Sequence, residues 1–291
     1  MITMRRSLIS IGLAALFVLI WPATALAATD PGLGSAGNFA VLAGTTVTNT
    51  GPSWITGQLG VAPGSAVTGF PPGTSGVQHK GDAVATTAQT DLTAAYINAA
   101  AQPCPAANNK TGVNLGGLTL VPGVYCQTLA PTLTGTLTLN GSGVYIFQID
   151  PATTLVTASG ASVSLIGGAQ PCQVFWVVGS SATLATSTSF VGTIMALQSI
   201  AMQTGALLNG RALARNGAVT LDTNRIIQPT GCGFAAPAFV PPPAGNILPP
   251  STGVPWELLG SFPWLLVIGV GALLGASVMV VSTRRRRRRT S

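Results

Sequence analysis

Apolar and polar positions alternate in short runs along most of this chain, and one group of runs recurs at a fixed spacing. Phe175-Trp176-Val177-Val178 returns as Thr193-Ile194-Met195-Ala196 and again as Arg211-Ala212-Leu213-Ala214, a period of 18 residues. Ser181-Ala182-Thr183-Leu184, Ser199-Ile200-Ala201-Met202 and Gly217-Ala218-Val219-Thr220 keep the same beat, as do Ser189-Phe190, Leu207-Leu208 and Arg225-Ile226. Three short strands and three turns, at ~3.3 Å per strand residue, use about this much chain. The pattern therefore predicts a β-solenoid with one coil per repeat. Further strand-like runs at 133–139, 144–149, 162–166 and 173–178 are bounded by Gly, Pro, Asn or Asp. In Thr136-Leu137-Thr138-Leu139 the alternation turns leucines toward a core and threonines outward.

One stretch breaks the β pattern. Residues 80–101 contain no Pro and no Gly after Gly81, and Ala85, Ala88, Leu92, Ala95 and Ala99 follow spacings of three and four. That predicts an amphipathic helix with a narrow apolar stripe, ended by Pro103. Its small alanines suit a close seat along a flat side of the solenoid; a helix in a separate cap domain is the alternative.

The net charge of +7 suggests nucleic acid until the charges are located. Arg5 and Arg6 precede one apolar run and the arginines of 284–289 follow another; between residues 28 and 245, five positive and five negative side chains cancel. The basic balance thus reads as membrane topology, not as a footprint for phosphate. Leu8 to Trp21 followed by Ala25-Leu26-Ala27 reads as a signal peptide over 1–27, with an uncleaved anchor as the alternative. The nearly unbroken apolar run of 258–282, followed by the arginine-rich tail 283–291, reads as a transmembrane helix with a cytoplasmic tail. The body, 28–236, is then extracellular. A Pro-rich linker, 237–257, separates it from the span. Within the linker, Leu248, Pro249, Thr252 and Gly253 resemble a sortase sorting signal with one extra residue. That resemblance implies a sortase and cell-wall peptidoglycan as partners; without cleavage the chain stays a single-span membrane protein.

Cys104, Cys126, Cys172 and Cys232 are an even count in an exported region, which predicts two disulfides with three possible pairings. Cys104–Cys126 is favoured because it is local, with Cys172–Cys232 as its complement. No Cys-x-x-Cys pair exists and His79 is the one histidine, so no metal or other cofactor is expected. The outer region has no Glu, and its Asp residues are scattered: Asp82 and Asp91 on the helix, Asp150 and Asp222 in turns. Nothing marks the converging carboxylates of a glycosidase or a nucleophile elbow, so no enzyme is expected.

Several runs together resemble the microbial ice-binding-protein family. They are Asn38-Phe39-Ala40-Val41-Leu42-Ala43-Gly44 leading to Thr46-Val47-Thr48-Asn49-Thr50-Gly51, then Gly57-Gln58-Leu59-Gly60-Val61-Ala62-Pro63-Gly64, the helix with Asp91-Leu92 and Ala95-Tyr96, Leu120-Val121-Pro122-Gly123-Val124-Tyr125, and Asn209-Gly210-Arg211-Ala212-Leu213-Ala214. The resemblance covers residues 31 to 234. It implies a right-handed β-solenoid of triangular section with the helix alongside, and an ice crystal surface as partner, bound through one flat face. On that reading the face contains Thr183, Thr186 and Thr188 in one coil and Ala201, Thr204 and Ala206 in the next, extended by Thr157 and Ser159. Asp222 falls where the period calls for another threonine, so the array is irregular. A surface adhesin for a glycan or protein is the competing reading. It calls for exposed aromatic residues, whereas Trp54, Trp176, Tyr96, Tyr125 and Tyr145 fall mostly in core-like segments.

Overall fold

The computed structural model describes residues 27–150 and 152–231. Residues 1–26 of the signal segment, Cys232, the linker with Leu248, Pro249, Thr252 and Gly253, the apolar run 258–282 and the tail lie outside the described residues. Among the described residues, no helix is long and apolar enough to cross a membrane.

The fold is mainly β, with one long helix. A 13-stranded and a 7-stranded sheet are stacked from parallel pairings between successive coils. The 7-stranded sheet forms what we call the front wall. Its strands run, in spatial order, Ala66–Thr68, Thr46–Thr50, Val219–Asp222, Ile200–Met202, Ala182–Leu184, Leu155–Thr157 and Thr132–Leu133. The larger sheet turns a corner and supplies two more walls. The eight-residue strands Ser189–Ala196 and Leu207–Ala214 run through that corner. They bend where Gly192 and Gly210 stack. A Cβ on Gly210 would lie 1.8 Å from the Gly192 carbonyl oxygen, so no side chain fits the inside of the bend.

The coils are not in chain order. Phe39–Ala43 lies between Gln58–Val61 and Leu207–Ala214, well inside the stack. The chain builds toward one end, reaching Gln78–Lys80 (the edge strand there), then runs through the helix. It re-enters at the far end through Thr119–Leu120 and Gly123–Gln127 and winds back. A splice closes the stack: Val41 pairs with Ala212, Thr48 with Thr220 and Ile55 with Ile226. The period of 18 holds from Thr183 to Ala201, becomes 19 from Ala201 to Thr220, and stretches to 27 from Val156 to Thr183. Extra residues in turns cause the drift, since only the strands are held in register.

Alternation fills the interior. In Thr136–Asn140, Leu137 and Leu139 are buried while the flanking threonines face out. Register stacks the largest side chains into a column: Tyr125 on Phe147 on Trp176 on Phe190, with ring centroids 5.4, 4.0 and 4.8 Å apart. The Trp176 indole N–H donates to the Val191 carbonyl at 3.0 Å, so the one polar atom of that ring is satisfied.

The helix, α1 (Ala83–Ala100), buries Ala85, Ala88, Leu92, Ala95 and Ala99, the stripe expected from spacing. It packs against the outward side of one wall, on Phe39, Leu42, Ile146, Phe175, Met195 and Leu213. The Asp82 carboxylate caps it by accepting from the Ala85 N–H, and His79 Nδ1 contacts the same carboxylate at 2.8 Å. At the other end the Gln148 side-chain amide donates to the carbonyls of Ala99, Ala100 and Gln102. Asp91 accepts from both the backbone N–H and the hydroxyl of Ser35, which holds its carboxyl below the ordinary value. The disulfide Cys104–Cys126 ties the segment after α1 to the terminal strand. Cys172 is buried at the start of the Val174–Val178 coil, and the partner expected for it, Cys232, lies outside the described residues.

Trp176→Ala should destabilise the fold by about 3–5 kcal/mol, read as a lowered urea midpoint, because it empties the centre of the aromatic column. The Asp91 contact should contribute stability that is full above the carboxyl's ordinary pKa and lost as pH falls through the lower, folded value. In Ser35→Ala the Asp91 resonance should titrate at higher pH by NMR, and the acid-side loss of stability should shrink.

Candidate functional site

Of the three walls, one is covered by α1, leaving the front wall and one side wall. Their outward residues differ. Strand register on the front wall places Thr68, Thr48, Thr220, Ala201, Thr183, Val156 and Thr132 in a single column. Neighbours stand about 4.8 Å apart, so the column is roughly 29 Å long. The residues beside them (Val47, Val219, Leu221, Ile200, Met202, Ala182, Leu184, Leu155 and Leu133) are buried and fix the column from behind. Threonine suits such a row because branching at Cβ restricts its rotamers and it shows both a methyl and a hydroxyl.

The side wall is uneven. Its column runs Trp54, Arg225, Leu207, Ser189, Ser162, Thr136. Trp54 is 59% exposed, the exception among aromatics expected mostly in the core, because it sits at an outward position of Trp54–Thr56. The Arg225 guanidinium lies over its ring at 5.4 Å.

A second row borders the front wall at its corner. Gly160, Ser187, Gly205 and Thr223 each donate a backbone N–H to the next coil, to the carbonyls of Thr186, Thr204, Asp222 and Thr50 respectively. Ser159, Thr186, Thr204, Asp222 and Thr50 thus form a stacked row, all exposed except the half-buried Asp222. The residue after each turns through positive φ: Gly160 at 70°, Ser187 at 57°, Gly205 at 72°, Thr223 at 54° and Gly51 at 78°. Asp222 is the only charged side chain in the two rows. Its carboxylate accepts from the hydroxyl of Thr204 and, at 3.1 Å, from that of Thr223.

The residues expected at the site divide accordingly. Thr183 and Ala201 stand in the central column, and Thr186, Thr204 and Ser159 in the corner row. Thr188 and Ala206 are buried, at 1% and 0% exposure, and cannot touch a surface. Both lie just past the corner, where the chain turns inward. The Thr188 hydroxyl is spent inside, bonded to Thr157, which is also buried. Thr48, Thr68, Thr132, Thr220 and Val156 were not singled out. Their alignment depends on the splice and on unequal coil lengths, which no fixed period reveals; only the Thr48–Thr220 pairing across similar runs, Thr46–Thr50 and Val219–Asp222, hinted at it.

Other chemistry is sparse among the described residues. No group of His, Cys, Asp and Glu there could hold a metal ion. Asp82 and Asp91 are committed to the ends and seat of α1, and Asp150 accepts from the Ala152 N–H in a turn. The cavities described, about 230–260 Å³ each, flank α1 or lie near Arg211, away from the front wall.

Residues 41–227 match the family model described as ice-binding-like. The chain belongs to that family. An ice-binding protein of Nostoc sp. (strain HG1) is 48% identical over 231 residues, spanning 77% of this chain and 83% of the relative. One from Flammulina populicola is 37% identical over 239 residues, 75% of this chain and 96% of the relative. Among solved structures, an ice-binding protein from an Antarctic biological consortium aligns with a TM-score of 0.67 at 46% identity, over 72% of this chain and 95% of its own. That of the Antarctic ascomycete Antarctomyces psychrotrophicus aligns with a TM-score of 0.64 at 41% identity, over 68% and 97%. The family is non-enzymatic, in keeping with the dispersed carboxylates. Nearly the whole of each of those two solved chains is matched by about 70% of this one, so a fold of that extent stands alone in those proteins.

Thr223 is a β-branched residue at a backbone angle that glycine adopts freely, a strain on the order of 1–3 kcal/mol. Thr223→Gly should therefore stabilise the fold by about 0.5–1 kcal/mol after the added chain entropy of glycine is offset. A higher melting temperature by calorimetry is the expected result.

Proposed function

We propose that this protein binds the surface of ice through its front wall. The observation that carries the reading is the central column, seven outward side chains in one register, five of them threonine and none charged. Ice offers no charge and no pocket, so a ligand site for it must gain affinity from area and from order. Each hydroxyl or methyl contributes little against the ordered water it meets. Rigidity lets many such contacts act together, because a wall already fixed loses little entropy on contact. A charged group would hold its own hydration shell, which is why the side wall with Arg225 and Trp54 serves poorly.

The proposal extends to place and shape. The reading is of a right-handed coil of triangular section, exported by segment 1–27 and held at the cell surface by the span 258–282 or by sortase transfer to peptidoglycan at Thr252. Ice adhesion or shaping of ice outside the cell would follow. A surface adhesin for a glycan or protein is the second reading, and exposed Trp54 on the side wall is what favours it.

The test is thermal hysteresis and crystal shaping by residues 28–236. Faceted crystals are expected from the unaltered fragment. Faceting should vanish in Thr220→Tyr, which raises a ring from within the column, and persist in Thr56→Tyr on the side wall, both variants keeping the unaltered circular dichroism. Round crystals and no hysteresis at high protein concentration would remove ice as the ligand. Loss of faceting in Thr56→Tyr but not in Thr220→Tyr would move the site to the other wall.

A further inference from the structure

At the corner of the front wall, residues with hydroxyls alternate with glycines along the positive-φ turns: Gly51, Thr223, Gly205, Ser187, Gly160. A Cβ on Gly51 would stand 2.4 Å from the Thr223 hydroxyl, so that hydroxyl occupies the space glycine leaves in the neighbouring coil. Thr223 keeps a strained backbone and an exposed side chain where glycine would relax it. Its hydroxyl, and that of Thr204 one coil away, both donate to the two oxygens of Asp222. Asp222 itself is held: its N–H donates to the Asn224 side-chain oxygen at 2.6 Å, and the Asn224 amide donates to the Gln203 carbonyl at 2.8 Å. Asn224 is buried, so the chain of contacts is anchored in the core.

Resting on the ice reading above, we infer that Asp222 is a positioning residue of the ice site. Its carboxylate is not a break in the threonine array but the clamp that fixes two hydroxyls at the array's edge. With their donor hydrogens committed to Asp222, Thr204 and Thr223 present methyl groups and oxygen lone pairs in one orientation. A crystal meeting them has no side-chain rotation to arrest. The carboxylate is half-buried and receives two hydroxyl bonds, so it reaches water less than a free aspartate does. The corner row then works with the central column as one surface two rows wide, about 6.7 Å apart where Thr48 and Thr50 share a strand.

The experiment compares residues 28–236 with Asp222→Ala, Asp222→Asn and Thr223→Gly. Side-chain rotamers of Thr204 and Thr223 are read by NMR scalar couplings in liquid water, and thermal hysteresis is read separately. Asp222→Ala should average both rotamers and lower hysteresis about two- to five-fold, the loss expected when two side chains must be ordered on contact. Asp222→Asn, which keeps one acceptor oxygen, should recover part of both signals. Thr223→Gly should lower hysteresis while raising stability, a split that a merely structural role would not give. Unchanged or increased hysteresis in Asp222→Ala would overturn the inference and mark the carboxylate as a defect. Averaged rotamers in the unaltered protein would overturn it as well. Absence of hysteresis in the unaltered fragment would instead sink the ice reading and, with it, any role for the clamp, whatever the couplings show.

Discussion

The parallel backbone ladder is the constraint on which the rest of the molecule depends. Each coil offers a row of N–H and C=O groups to the next, and pairing them sets the spacing of neighbours at about 4.8 Å. Once that spacing holds, side chains at paired positions stack without further instruction. Leucines and aromatics stack inward and threonines outward. Ladders in the two sheets produce the aromatic column through Trp176, facing in, and the threonine column through Thr220, facing out. The ladder also explains why α1 has the length it has. Its 18 residues span about 27 Å at 1.5 Å per residue, close to the length of a six-step stack. The helix is thus the return path that lets the chain leave one end of the stack and restart at the other.

That return path makes the splice necessary. The coil from Phe39 must pair with the coil ending at Ala214, some 170 residues later. Two of the central threonines, Thr48 and Thr220, face each other across this joint. The second and third strands of the front wall are therefore joined by a strand pairing of very large sequence separation, and pairings of that kind form slowly. Several side chains hold the joint from outside the sheet: Arg211 and Gln228 both donate to the Gly37 carbonyl, and Arg215 donates to Thr93 on α1. Arg211 is buried, and its desolvation lowers its pKa from the ordinary value. It is an expensive residue to place there, and its bond to the N-terminal segment gives a reason for it.

The fold was largely legible in the residues, and the site only partly. Alternation and the recurrence between Phe175 and Ala214 sufficed for the coil, and the spacing of Ala85, Ala88, Leu92, Ala95 and Ala99 for the helix and its buried side. Those signals are local, so they survive without knowledge of the stack. The site is not local. Thr183 and Ala201 were found because their coils are adjacent and equal in length. Thr188 and Ala206 were misplaced because a period marks where a residue recurs, not which way it points once the strand has turned a corner. Thr48, Thr68 and Thr132 required the order of coils, which is set by the splice and by unequal turns. Trp54 is the exception among aromatics that fall mostly in core-like segments, since an aromatic at an odd position of a three-residue strand faces out as readily as any other.

A flat wall of stacked threonines also explains what the chain tolerates elsewhere. Binding that depends on many weak contacts is lost through motion more than through the absence of any one group. Strain that removes motion can therefore be worth its cost. At Thr223 a backbone angle suited to glycine is kept, although glycine occupies the equivalent place at Gly51, Gly160 and Gly205. Relaxing it would help the fold and leave the corner bare. The placement of Asp222 follows the same logic. Two threonines without an acceptor beside them would rotate in water, and a buried amide, Asn224, ties that acceptor to the core. Stability and surface order then draw on the same few hydrogen bonds, and where they conflict the residues at this corner favour order.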